Sequence, residues 1–214
     1  AYYLELQKYY TILKSKNKIL KEQKIDDALL SVYNDALCQS AEYIMKKREA
    51  FLAKLEQAAG EIFAFLAGGE QLAIRYRACA ELGHLPDSLA FKLQTAERRE
   101  KELHTAMVGP HREDLEFLIN GRDARLYASQ GQQRSVALAL KLGEGEILAE
   151  EMGEEPVYLL DDVLGELDET RKSYILSRTG GRQLIVTACE KNDYDALTGV
   201  KKIHACGGQY TEDR

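Results

Sequence analysis

The stretch Glu155-Pro156-Val157-Tyr158-Leu159-Leu160-Asp161-Asp162-Val163-Leu164-Gly165-Glu166-Leu167-Asp168 decides how this chain is read. Four apolar residues run straight into two adjacent carboxylates, and a turn-like Gly165-Glu166 and a third carboxylate follow. Such a run predicts a strand buried on both faces, its acids emerging at the carboxyl edge of a parallel sheet. Open α/β sheets bind ligands at that edge. In nucleotide hydrolases an acid after a buried strand holds Mg²⁺, and a neighbouring acid orients or deprotonates water. A buried strand capped by a solvated Asp-Asp turn accounts for the stretch equally well when it is taken alone.

Upstream, Tyr127-Ala128-Ser129-Gln130-Gly131-Gln132-Gln133-Arg134 opens a helical pattern that leads to the strand. Ser129 is a good N-cap, and Gly131 lets a backbone approach closely. A helix start with a hydroxyl and free amides suits an anion, although Ser-x-Gly also opens many ordinary helices. The two motifs in this order, followed by Gly165-Glu166-Leu167-Asp168, resemble the signature motif, Walker B strand and D-loop of ABC-type ATPases. The spelling Ser-Gln-Gly-Gln-Gln-Arg, with Leu-Asp-Asp-Val and Glu-Leu-Asp, is similar to the RecF family of bacterial recombinational repair ATPases. Gly109-Pro110-His111-Arg112-Glu113-Asp114-Leu115 sits where that family has a similar segment. The resemblance is close over residues 109–190 and looser over what precedes them.

The resemblance implies a site for ATP and Mg²⁺ shared between two subunits. Asp161 would hold the metal, directly or through water, and Asp162 would polarise the attacking water. Ser129 and Gly131 would face the γ-phosphate on the opposite subunit, with Gln132 beside them and Gln130 in the same cofactor-binding segment. Asp168 would lie in the D-loop, crossing towards the partner. Thr187 follows a second apolar strand about where ABC proteins carry a switch histidine, and takes a water- or phosphate-sensing role. The implied partners are DNA, including single-strand/double-strand junctions, a second RecF subunit and the RecR mediator protein, with no membrane. The implied function is ATP-dependent recombinational repair, with recombinase loading at single-strand gaps.

None of the sixteen glycines meets the Walker A spacing; Gly68-Gly69-Glu70 and Gly180-Gly181-Arg182 are not followed by Gly-Lys-Ser/Thr. The amide cradle and lysine of that loop would have to come from elsewhere. In the resembling family the loop lies near the N-terminus, before the arm. The expectation is a C-terminal part of such a protein, inactive by itself as an ATPase. Too little β structure then surrounds strand 157–160 to cover it fully, so this chain should expose an apolar sheet edge or face. Another ABC-type or SMC-like subunit is the alternative, although the arm is short for SMC proteins. A transporter subunit would show Leu-Ser-Gly-Gly-Gln and a switch histidine. A third reading is a non-enzymatic helical interaction module.

The expected fold class is α/β: a helical arm over residues 1–105 with one strand, then the signature and Walker B part of an ABC-type head over 106–214. Periodicity predicts helices over 1–22, 26–67, 87–104, 130–152 and 169–179. The second is long enough to be a coiled-coil-like arm or to be broken midway, with Ala58-Ala59-Gly60 the weakest point, and Asp87 or Ser88 should cap the third. Alternation predicts a strand at 71–77, and Asn120-Gly121 predicts a hairpin joining 114–119 to about 123–127. A buried strand is expected at 183–187 and a weak one at 201–205.

The chain has 214 residues, is 45% hydrophobic and 30% charged, and carries a formal charge of −6. An acidic balance leaves any nucleic-acid contact to a local basic face. The lysines 14, 16, 18, 21 and 24 and the run Glu97–Glu102 read first as solvated helix faces. His111-Arg112 reads as a surface turn, with a nucleotide or DNA contact as the alternative. The pairs Tyr2-Tyr3 and Tyr9-Tyr10 read as helix packing. Cysteines 38, 79, 189 and 206 lack metal or disulfide spacing and suggest free thiols in a reducing compartment. No run is long and apolar enough for a membrane span, so a cytoplasmic location is the default expectation.

Overall fold

A computed structural model describes residues 1–188 and 200–212; Cys189 lies outside them. The chain forms two compact units, Ala1–Ile147 and Leu148–Arg214, described here in turn.

In the first unit, α1 (Tyr2–Ile19) packs against α2 (Asp27–Leu66). Asp26 caps α2, its carboxylate accepting the Leu29 amide at 3.0 Å. Of the two alternatives, the unbroken arm is the one found: α2 is one continuous helix of 40 residues. The small residues at 58–60 serve close packing instead. Gly143 of α5 (Gln130–Met152) comes so near that an added Cβ would lie 3.0 Å from the Ala59 nitrogen. Gly68 and Gly69 end α2 with φ of 67° and 97°, and Gly69 N–H bonds back to Ala64 O at 2.7 Å.

Three antiparallel strands follow in the order β1 (Leu72–Arg77), β2 (Asp114–Ile119), β3 (Arg122–Asp123), with Leu72 opposite Ile119 and Arg77 opposite Asp114. Asn120 and Gly121 both take positive φ, 49° and 79°, which is the expected type I′ turn. The returning strand is shorter than predicted. Asp123 accepts the Arg125 amide at 2.8 Å and caps a short helix, α4 (Ala124–Tyr127), where strand was expected. Helix α3 (Asp87–Leu103) starts from Pro86 without a side-chain cap; Asp87 sits in its first turn, and Ser88 turns back to donate to Glu81 O.

The core of this unit gathers Tyr9, Leu13, Leu37, Ile44, Met45, Leu89 and Leu93. Of the pair expected to pack, Tyr9 is buried and Tyr10 exposed. Two charges expected in solvent are fully buried: Lys16 Nζ faces Glu100 Oε2 at 2.6 Å. Glu100 also accepts the Met107 amide at 2.6 Å. Among the described residues neither Lys16 Nζ nor Glu100 Oε2 has a further hydrogen-bond partner. Burial lowers the pKa of Lys16 against the pull of Glu100.

In the second unit, β4 (Tyr158–Asp161) pairs in parallel with β5 (Leu184–Thr187), with α6 (Glu169–Arg178) between them in sequence. The apolar run is covered on one face and open on the other, as expected where too little β structure surrounds it to cover both. Tyr158 and Leu160 are buried, but Leu159 is 71% and Ile185 50% exposed. Two strands and one intervening helix bury one face only. A hairpin of β6 (Ile203–Cys206) and β7 (Gln209–Glu212) turns at Gly207-Gly208. The second of these strands, short and exposed throughout, was not anticipated.

Candidate nucleotide-facing site

In the first unit, Ser129 precedes α5 and forms a reciprocal capping box. Its hydroxyl oxygen accepts the Gln132 amide at 3.2 Å, and Gln132 Oε1 accepts the Ser129 amide at 2.9 Å. The box consumes the Gln132 amide but leaves those of Gln130 and Gly131, which have no intrahelical partner at a helix start. The Ser129 hydroxyl donates no hydrogen bond among the described residues. Gly131 faces open space. Gln132 is held from its other end, Nε2 donating to both oxygens of Glu70 at 3.0 and 2.9 Å. Glu70 also receives Asn120 Nδ2 at 3.2 Å, and Asn120 Oδ1 accepts the Gln71 amide at 3.0 Å. Glu70 was not foreseen as a site residue; Gly68-Gly69-Glu70 drew notice only as a failed phosphate loop.

In the second unit, Asp161 closes β4 opposite Thr187 at the end of β5. Both strands run in the same direction, so both residues reach the carboxyl edge. The Thr187 hydroxyl donates to Asp161 Oδ1 and accepts the Asp162 amide at 3.1 Å. Asp162 N–H also reaches Thr187 O at 3.2 Å. Asp162 adopts a left-handed φ of 53°, a conformation that aspartate tolerates better than bulkier side chains and that costs of order 1 kcal/mol. Asp161 and Asp162 are exposed. Asp168 is the N-cap of α6, accepting the Arg171 amide at 2.9 Å. Thr187 thus ties the two acids together, a link the separated motifs did not reveal.

Among the described residues no group of three or more His, Cys, Asp or Glu side chains could hold a metal. Asp161 fits the hard-cation pattern in which one carboxylate serves beside water and substrate phosphate. Its Oδ1 is fixed by Thr187, and the residue is exposed. A cavity of about 690 Å³ between α2 and α3, lined in part by Asn34, Asp35, Cys38, Phe91 and Glu97, contains none of these candidates.

The Gly109–Glu113 segment is a packing clip, which favours the structural reading of His111-Arg112. His111 Nε2 lies 3.3 Å from Ala106 O. A carbonyl only accepts, so that nitrogen carries the proton, and Nδ1 accepts the Tyr9 hydroxyl at 2.6 Å. Burial holds the pKa of His111 below the usual histidine value. Arg112 donates to the same Ala106 carbonyl from Nε and Nη2. Glu113 receives Arg48 Nη1 at 2.9 Å, the Tyr76 hydroxyl and the Cys79 amide. A Cβ at Gly109 would run into the Tyr9 hydroxyl.

No family model matches the chain. Among curated proteins it is 38% identical over 203 residues to the DNA replication and repair protein RecF of Caldanaerobacter subterraneus subsp. tengcongensis, covering 91% of this chain and 56% of that protein. The Bacillus subtilis protein of the same name is 38% identical over 210 residues, covering 92% of the chain and 57% of the relative. Among solved structures, the recombination mediator protein RecF-ATP in the RecFOR pathway superimposes with a TM-score of 0.86 at 34% identity, covering 100% of this chain and 58% of that one. The RecF-ATPrS structure gives 0.83 at 36% identity. The fold is therefore α/β, a helical arm joined to part of an ABC-type ATPase head. The chain spans a little over half the length of the relatives it matches, and on this sequence and structural likeness it belongs to the RecF family.

Proposed function

We propose that this chain supplies the signature and metal-binding residues of a nucleotide site in an ATP-dependent DNA-repair protein. The arrangement of Asp161, Asp162 and Thr187 at the carboxyl edge of a parallel strand pair carries the reading. Asp161 is the Mg²⁺ ligand, and the metal would supply charge neutralisation at the β- and γ-phosphates. Asp162 orients or deprotonates the attacking water, and Thr187 sets the relative placement of the two acids. Ser129, with the free amides of Gln130 and Gly131, presents donors to the γ-phosphate held by a second copy. Gln132 stands beside that contact, and Asp168 belongs to a D-loop that crosses towards the second copy. Residues 1–105 act as the arm and 106–214 as the head portion. DNA, a second RecF subunit and the RecR mediator protein are the proposed partners, in recombinase loading at single-strand gaps. The exposed face around Val157, Leu159 and Ile185 supports the reading that further protein packs on this sheet.

A structural reading of the same residues has specific support, because Ser129 and Asp168 are both working helix caps. One experiment separates the two. In the full-length protein, Asp162→Asn should slow hydrolysis by roughly two to four orders of magnitude while ATP-driven dimerisation persists. Asp161→Asn should weaken Mg²⁺-dependent nucleotide binding first. Ser129→Arg should leave nucleotide binding to each subunit intact and block dimerisation, read by analytical ultracentrifugation beside phosphate release. Normal dimerisation and hydrolysis by Ser129→Arg would reduce residues 129–134 to a capped helix start.

A further inference from the structure

The capping box at Ser129 is itself held by a residue 59 positions earlier in the sequence, counted as 129 minus 70. Both Nε2 contacts of Gln132 end on the Glu70 carboxylate. That carboxylate also binds Asn120 Nδ2, at the tip of the β2–β3 hairpin. Asn120 is fixed in turn by its exchange with Gln71, accepting the Gln71 amide and donating its own amide to Gln71 O at 2.9 Å. Glu70 thus joins the end of α2, the hairpin tip and the start of α5.

An amide side chain left alone at a helix start samples several rotamers. If Gln132 left the box, the Ser129 amide would lose its acceptor. The Ser129 side chain would then be free to turn its hydroxyl elsewhere. With Nε2 anchored on Glu70, Oε1 is aimed at the Ser129 amide and the Ser129 oxygen at the Gln132 amide. What remains unspent is the Ser129 hydroxyl proton and the two free amides, all donors. Glu70 has its oxygens engaged by amide side chains and complements the positive end of the helix without occupying those donors.

We propose that Glu70 is a positioning residue for the anion-facing start of α5, holding Gln132 in the capping box so that Ser129, Gln130 and Gly131 present their donors to a phosphate. This rests on the γ-phosphate role proposed above for Ser129. Glu70 need not touch the nucleotide; it acts through Gln132.

The test uses the full-length protein with Glu70→Ala and Glu70→Gln, and Ser129→Arg as the reference. Two readouts are taken: amide hydrogen exchange over residues 129–133 without nucleotide, and ATP-driven dimerisation by analytical ultracentrifugation. Glu70→Ala should speed exchange at the Ser129 and Gln132 amides and weaken dimerisation roughly five- to tenfold, the effect of about one net hydrogen bond. Binding of ATP to the single subunit should stay unchanged. Glu70→Gln keeps one accepting oxygen and should recover part of both effects. Faster exchange with wild-type dimerisation would make Glu70 a structural tie only and overturn the proposal. Wild-type behaviour in both readouts would overturn it too. If Ser129→Arg dimerises normally, it is the reading of the site that fails; if Ser129→Arg is blocked and Glu70→Ala is not, the failure belongs to Glu70 alone.

Discussion

Replacing Lys16 by methionine removes one partner of a fully buried ion pair at 2.6 Å. Methionine matches the stem in length and apolar character, so packing changes little. The remaining Glu100 keeps the Met107 amide on one oxygen, while the oxygen that faced Lys16 loses its sole counter-charge. Breaking such a pair costs roughly 3–5 kcal/mol, and the surviving Met107 contact places the expectation near the lower end. Against a total stability of about 5–15 kcal/mol that is a large fraction. Urea denaturation followed by circular dichroism measures it directly. The double variant Lys16→Met/Glu100→Gln removes both charges yet leaves an acceptor for Met107. It should return to within roughly 1–2 kcal/mol of the wild type. Acidity adds a second check. Burial lowers the folded pKa of Lys16 from its ordinary 10.5. Between the folded value and 10.5 the unfolded chain binds the extra proton, so wild-type stability rises with pH relative to Lys16→Met. A cost below about 1 kcal/mol for Lys16→Met, or a double variant weaker than the single one, would refute the buried-pair reasoning.

His111 is held neutral between Tyr9 and Ala106, and its folded pKa lies below 6.5. Its contribution is present above the unfolded pKa and lost as pH falls through the folded one, so the wild type should lose its advantage over His111→Gln on acidification, as seen in paired denaturation curves. Gly143→Ala should destabilise by roughly 1–3 kcal/mol in thermal melts, because the new Cβ meets the Ala59 backbone, which cannot swing aside as a side chain could.

The long helices and the Asn-Gly hairpin were legible because each carries its own local signal. Asp26 opens the predicted 26–67 helix and caps it, Gly68-Gly69 follow that range and end the helix, and Asn120-Gly121 turn where the hairpin was placed. Asp161, Asp162 and Thr187 were each marked by a strand running into a polar end, and the parallel register brings them together. What the pattern hid was long-range. Lys16 and Glu100 look like surface charges until tertiary packing encloses both. Glu70, Arg48 and Glu113 reach partners 34 to 65 residues away, and no local periodicity encodes such pairings. The exposed side of β4 follows from the number of strands: the apolar run marks a strand that a fuller sheet would cover on both faces, and among the described residues β5 alone flanks it. The β3 strand was overextended because Asp123 served as a helix cap and not as a strand residue.

The Asn120-Gly121 turn also gives the protein a chemical age. Glycine lacks the Cβ that would hinder its own amide from attacking the preceding asparagine carbonyl, and that attack expels ammonia. Here the nitrogen to be expelled is hydrogen-bonded to Glu70, and the carbonyl under attack is engaged by Gln71, which resists the rearrangement. The succinimide ring that results is opened by water, and an acid then stands where the amide was, facing Glu70 with like charge. The tie between hairpin and helix then repels, so stored material would lose its grip on the start of α5 without any change in its encoded sequence.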